Sequence, residues 1–139
     1  MSAHHFIDTN ILLYSISRAA DEAAKRARAL ALLEEAGAAL SVHVLQEFYV
    51  QATRPTRPDA LPHDIAAGLI AAWQRFAVQD VTASILTKAL QIKADHGFSY
   101  WDSAIIAAAL ALGCRELYTE DMTHGREIEG VLIINPFRS

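Results

Sequence analysis

Phe6-Ile7-Asp8-Thr9-Asn10-Ile11-Leu12 is the stretch on which the reading of the fold turns. Phe6-Ile7 is a short apolar strand candidate that runs straight into three residues favouring turns and helix caps. Ile11 to Ser15 then continue as one or two helical turns. The same rhythm repeats along the chain. Asp21 to Ala36 reads as a helix, opening on two acids, carrying Lys25, Arg26 and Arg28 on one side, and stopping at Gly37. Ala38 to Leu40 is a second strand, and Ser41 looks like the cap of a helix reaching about Ala52. His63 to Phe76 places Ile65, Leu69 and Trp73 on one helical face. Ala77-Val78, Glu116 to Tyr118 and Val131 to Ile134 are further strands. Helices over Thr82 to His96, ended by Gly97, and from Ser99 or Tyr100 to Leu112, ended by Gly113, separate the first two. Short apolar strands alternating with helices predict a mainly parallel sheet covered on both faces, a three-layer α/β/α sandwich.

The 139 residues are 53% hydrophobic and 20% charged, the composition of one globular domain spanning residues 1–139. The Pro-rich stretch Thr53 to Pro62 is too short for a domain linker and reads as a connection between helices. The net charge of −4 excludes a histone-like or repressor-like coat for nucleic acid, which needs a basic face. It leaves open an enzyme that handles nucleic acid through bound metal. The single cysteine, Cys114, excludes an internal disulfide and a thiolate-rich zinc site, and fits a reducing compartment. The opening residues lack the basic start and apolar run of a signal peptide. No run approaches the ~18 consecutive apolar residues of a membrane helix. A cytoplasmic protein without membrane association is expected, and His4-His5 read as a solvated N-terminal pair.

In parallel sheets, sites form where the carboxyl ends of strands meet helix starts. Four acids fall at such places: Asp8 directly after the first strand, Glu47 on the helix after the second, Asp102 at a helix start, and Asp121 three residues past Tyr118. Each has an ordinary explanation. Asp8 is a good helix cap, Asp102 complements a helix dipole, and Asp121 suits an exposed turn. Glu47 lies at the edge of the apolar arc of Val44, Leu45, Phe48 and Ala52, where an acid is half exposed or partnered. Together they mean more. Two carboxylates ~4 Å apart repel by about 4 kcal/mol at an effective dielectric near 20. A cluster of acids without His or Cys ligands therefore points to a hard cation, Mg²⁺ or Mn²⁺.

These residues carry a resemblance. Phe6-Ile7-Asp8-Thr9-Asn10-Ile11-Leu12 resembles the opening motif of PIN-domain ribonucleases. Ser41-Val42 with Gln46-Glu47-Phe48 resembles the second motif, and Trp101-Asp102-Ser103-Ala104 with the Ala-rich run after it the third. Leu117-Tyr118-Thr119-Glu120-Asp121-Met122, with His124-Gly125 and Asn135-Pro136-Phe137, resembles the fourth motif and tail. The motifs keep their order over nearly the whole chain. Within the family the chain is most similar to VapC toxins of VapBC toxin–antitoxin pairs.

The resemblance implies a divalent metal and hydrolysis of RNA phosphodiester bonds to 5′-phosphate and 3′-hydroxyl ends. By position it makes Asp8, Glu47, Asp102 and Asp121 the catalytic, metal-binding acids. Thr9, Asn10, Ser41 and Thr119 become candidates for supporting those acids or orienting substrate, and Asp121 is favoured over Glu120 as ligand. Arg54 and Arg57, in the Pro-rich connection, are candidate RNA contacts. Trp73, Tyr100 and Trp101 could stack on bases or simply pack. A VapB-type antitoxin and a homodimer are the implied partners. The antitoxin would pair Arg or Lys with the acids and lay a helix on the surfaces of Asp21 to Ala36 and His63 to Phe76. A housekeeping RNA-processing nuclease or an inactive PIN-like binding module would share the motifs. A haloacid-dehalogenase-type phosphatase needs a second Asp where Asn10 stands. A response-regulator receiver needs paired acids before the phosphorylated Asp, where His4 to Ile7 stand.

Overall fold

The computed structural model describes residues 3–138. Six strands form one sheet: β1 (His5–Ile7), β2 (Ala38–Ser41), β3 (Ala77–Gln79), β4 (Glu116–Tyr118), β5 (Glu127–Ile128) and β6 (Val131–Ile134). Six helices connect them: α1 (Thr9–Ser15), α2 (Ala23–Glu34), α3 (Val42–Ala52), α4 (His63–Trp73), α5 (Ala83–His96) and α6 (Tyr100–Ala111). The strand order is β3-β2-β1-β4-β6-β5. All neighbours are parallel except the terminal β5–β6 pair.

The order reverses at β1. The chain builds outward from β1 through β2 to β3, then returns to lay β4 along the other side of β1. At such a reversal the connections leaving two neighbouring strands diverge, and a crevice opens beyond their carboxyl ends. Asp8 and Thr119 therefore stand side by side, and the Asp8 N–H extends the β1–β4 ladder by donating to the Tyr118 carbonyl at 3.1 Å.

Helix α6 packs on α5 and meets β2, β4 and β6. The remaining helices form a second group, α1 against α2 and α3, and α3 against α4. The result is the expected three-layer α/β/α sandwich. Phe6, Ile7, Leu40, Leu117 and Ile133 from the strands are fully buried with Leu32, Phe48, Ile92 and Ile106 from the helices. Strands covered on both faces need continuous apolar runs, which is why β1, β2 and β4 show no polar alternation.

Several expectations are corrected. His5 is not a solvated terminal residue: it is buried in β1, its Nε2 3.3 Å from the Leu32 carbonyl and its ring edge-on to Tyr118. The helix expected from Asp21 is a 3₁₀ turn over Ala20–Glu22 before α2 begins. Ile65, placed on an apolar face with Leu69 and Trp73, is 54% exposed, and the buried residues of α4 are Ala66 and Trp73. Leu86 and Leu90 of α5 are also exposed. Strand β5 was not foreseen. Its two residues form the short arm of a hairpin with β6, below the length at which alternation can be read.

Candidate active site

Three of the four acids sit where an element begins or turns, and Glu47 lies in the middle of a helix. Asp8 is the N-cap of α1, and its Oδ1 accepts from the Thr9 N–H at 2.7 Å. Its Oδ2 accepts from the Thr119 hydroxyl at 2.8 Å. Asp102 lies in the first turn of α6, its N–H donating to the cap residue Ser99 at 3.2 Å. Glu47 lies within α3, where Oε1 accepts from the Thr9 hydroxyl at 3.0 Å and stands 3.2 Å from His43 Nε2. The His43 approach lacks hydrogen-bond alignment, and Nε2 is otherwise buried without a partner. Asp121, exposed in the loop after β4, accepts from the Asn10 amide at 2.9 Å.

Thr9, Asn10 and Thr119 thus do the joining. The Asn10 amide donates to Asp121, and its carbonyl oxygen accepts from the Glu120 N–H at 3.2 Å. Thr119, fully buried, donates to Asp8 while its oxygen accepts from the Asp121 N–H at 3.1 Å. One hydroxyl therefore ties two acids from opposite ends of the chain. Ser41 is committed elsewhere: its oxygen caps α3 by accepting from the Val44 N–H. Arg57 pairs with Asp59 at 2.9 Å and lines a cavity of about 440 Å³ with Ser17, Arg18 and Glu22, away from the four acids. Arg54 is exposed in the same connection.

Glu120, adjacent to Asp121, faces away into a different cluster. It accepts from Tyr14 and is paired with Lys25. Burial alone pushes its carboxyl up, but the Lys25 and Tyr14 contacts outweigh this and hold it below the usual value. Lys25 is raised in turn, chiefly by the Glu120 hydrogen bond. Lys25, on the basic side of α2, is thus tied to the loop after β4. Only the pairing across α2, α1 and that loop reveals it.

The electrostatics of the acids are those of a group short of positive charge. Burial pushes Asp8 up to about 7, against the pull of the Thr119 and Thr9 hydrogen bonds, with the charges of Asp121 and Glu47 pushing the same way as burial. Asp102 is also raised, first by burial and then by Asp121 and Glu47, with Ser99 opposing. Each of these two carboxyls feels Asp121 and Glu47, and no cation figures in its balance. The donor chemistry, carboxylate oxygens with an amide beside them, fits a hard divalent cation. Among the described residues, no three His, Cys, Asp or Glu side chains close on a common point as ligands. The acids lie within electrostatic reach of one another without being drawn together.

His43 was not singled out by sequence. Its signal was the four-residue spacing to Glu47 on a helix capped by Ser41. Its ring also stacks on Trp101, with centroids 4.8 Å apart and planes 11° apart.

Comparison with curated proteins finds no match. Solved structures do match. A toxin–antitoxin complex from Klebsiella pneumoniae aligns with a TM-score of 0.69 at 22% identity, over 99% of this chain and 100% of that one. The sarcin-ricin-loop-cleaving toxin VapC20 of Mycobacterium tuberculosis aligns at 0.63 and 21% identity, over 84% and 91%. DNA-bound VapBC from Salmonella typhimurium aligns at 0.64 and 18%, over 94% and 96%. At these identities the likeness is one of fold. The PIN domain model matches residues 5–126, a span that holds all four acids and every strand but β5 and β6. The reversal of strand order at β1 with acids at both strand ends, and this match across most of the chain, have one reading: the chain belongs to the PIN domain family.

Proposed function

We propose that this protein is a divalent-metal-dependent endoribonuclease, the toxin of a VapBC-type pair, built as one nuclease domain over residues 1–139. The observation that carries the reading is the electrostatic reach among four acids: Asp8 and Asp102 each feel Asp121 and Glu47, and Asp8 is buried and short of positive charge. These four acids would hold Mg²⁺ or Mn²⁺. When bound, a divalent cation supplies Lewis acidity toward a phosphate oxygen and a more acidic water.

The chain's own residues do the rest. Thr119 and the Thr9 N–H hold both Asp8 oxygens in place, Thr9 holds Glu47, and Asn10 holds Asp121. The first turn of α6 adds positive potential toward a phosphate beside Asp102. Cleavage proceeds by water attack, leaves 5′-phosphate and 3′-hydroxyl ends, and has no need of the RNA 2′-hydroxyl as nucleophile. Arg54 contacts the RNA backbone, and Arg57 exchanges Asp59 for a phosphate when RNA binds.

RNA as substrate and an antitoxin as partner are supported by relatives that share the fold, one a sarcin-ricin-loop-cleaving toxin and others toxin–antitoxin complexes. An apolar groove of about 470 Å³, lined by Val42, Leu45, Tyr49 and Val50 of α3 and Ile70 of α4, suits an amphipathic antitoxin helix. The protein acts in the cytoplasm, as a homodimer. No helix among the described residues is long and apolar enough to cross a membrane.

The test is cleavage of a mixed pool of structured RNAs by protein freed of antitoxin, with Mg²⁺, Mn²⁺ and EDTA in parallel and Asp8→Asn as control. Metal-dependent cleavage lost in the variant is expected. Equal cleavage by both proteins marks a contaminant and removes the support for the reading.

A further inference from the structure

Trp101 is 61% exposed, an unusual setting for the largest apolar side chain, and it immediately precedes Asp102. Its ring is not loose. One face is covered by the His43 ring, parallel to within 11° at 4.8 Å, and Tyr100 abuts it edge-on at 5.0 Å. His43 lies one helical turn from Glu47, its Nε2 3.2 Å from that carboxylate without hydrogen-bond alignment. The indole thus stands on α6 with a ring of α3 stacked behind it, spanning the two helices that carry Asp102 and Glu47. A cavity of about 180 Å³ opens beside it, lined among others by Ser41, His43, Gln46 and Tyr100.

We propose that Trp101, backed by His43, is a stacking platform for an unpaired nucleobase next to the cleaved phosphate of a single-stranded RNA segment. The proposal rests on the nuclease reading above. The plate adjoins Asp102 in sequence and leans on His43, one helical turn from Glu47, so a base seated on it belongs to a strand whose phosphate is within reach of those acids. The charge of the chain gives a second reason. At a net −4, attraction to phosphates is a weak source of affinity, and base stacking supplies affinity that does not depend on net charge. Stacking accepts any base, so discrimination falls to the polar groups of the adjoining cavity, Gln46 foremost, reaching a base edge.

The chain has two tryptophans, and Trp73 is buried in the core against Phe48, so the emission of an accessible indole reports on Trp101. The protein is titrated in EDTA into a short random-sequence single-stranded RNA carrying a 5′ fluorophore, affinity being read from the anisotropy of the RNA for every variant, and Trp101 emission and its quenching by acrylamide being followed in the parent. Trp101→Ala, Trp101→Leu and Trp101→Phe are compared with the parent, and thermal melts verify that each variant is folded. RNA should quench Trp101 and shield it from acrylamide. Trp101→Ala and Trp101→Leu should weaken binding by roughly 5- to 150-fold, and Trp101→Phe by much less. With Mn²⁺ restored, the loss should appear in KM rather than kcat. Equal affinity of Trp101→Ala and parent overturns the platform while leaving a cleaving parent a nuclease. Shielding that follows protein concentration or added antitoxin, and not RNA, also overturns it and makes the plate a protein contact. A parent that neither binds nor cleaves any RNA brings down both readings.

Discussion

Burial holds the Asp8 carboxyl at about 7 in place of its ordinary 3.8, so this one residue makes the metal-free fold sensitive to pH. The folded state binds the proton more tightly than the unfolded chain does. Stability from this group is therefore fully present below about pH 4, falls as pH rises through the interval up to about 7, and stays low above it. At roughly 1.4 kcal/mol per pH unit, the ionised carboxylate costs the fold at most about 4 kcal/mol. Asp8→Asn should accordingly raise the melting temperature in EDTA by several degrees at pH 8, while abolishing cleavage, and the gain should vanish near pH 4. A variant less stable than the parent at pH 8 would count against crowded carboxylates. The residue types were legible because the motifs put acids directly after strands and at helix starts. The partners were less so. Thr119 to Asp8 and Asn10 to Asp121 each bridge 111 positions, and Lys25 to Glu120 bridges 95, separations over which local patterning says nothing.

Helix starts were read well because their caps are local chemistry. Ser41, Thr82 and Ser99 each accept from the backbone N–H three residues on, and Gly97 ends α5 in the left-handed conformation at φ 78°. Strands β4 and β6 fall on the expected residues, since a short apolar run between breakers leaves few alternatives. Exposure was read less well. Apolar spacing marks a face of α4 and α5 as hydrophobic but does not say that this chain covers it, and Ile65, Leu86 and Leu90 remain in solvent. The cap of α6 ties element to chemistry, because the N–H it receives belongs to Asp102. Ser99→Ala should lower stability by about 1 kcal/mol in urea unfolding and also slow cleavage, with Ser99→Thr retaining both. Loss of stability with unchanged cleavage would mean that the cap does not position Asp102.

At the scale of the whole molecule, Asp8 and Asp121 come onto one hydroxyl only because β4 returns to the far side of β1. A cation binding among the acids acts on the fold as a ligand. Mg²⁺ or Mn²⁺ should raise the melting temperature at pH 7.5 in a concentration-dependent way, the stabilisation reaching about 3 kcal/mol of unfolding free energy at a hundredfold excess over Kd. EDTA should reverse the effect and Asp8→Asn should remove it. Identical melting with either metal or with EDTA would sink the metal assignment. The place of β1 in the sheet also orders events in time. The strand that carries Asp8 is made first, yet one of its flanks is filled only when Glu116–Tyr118 arrive. The hydroxyl that steadies Asp8 follows at Thr119, and the fourth acid two residues later. A growing chain still threaded through a ribosome therefore carries an incomplete crevice until Asp121 has emerged. Under the proposed function, a nuclease assembled in this order stays inert on the ribosome until the last of its four acids has followed β4 out.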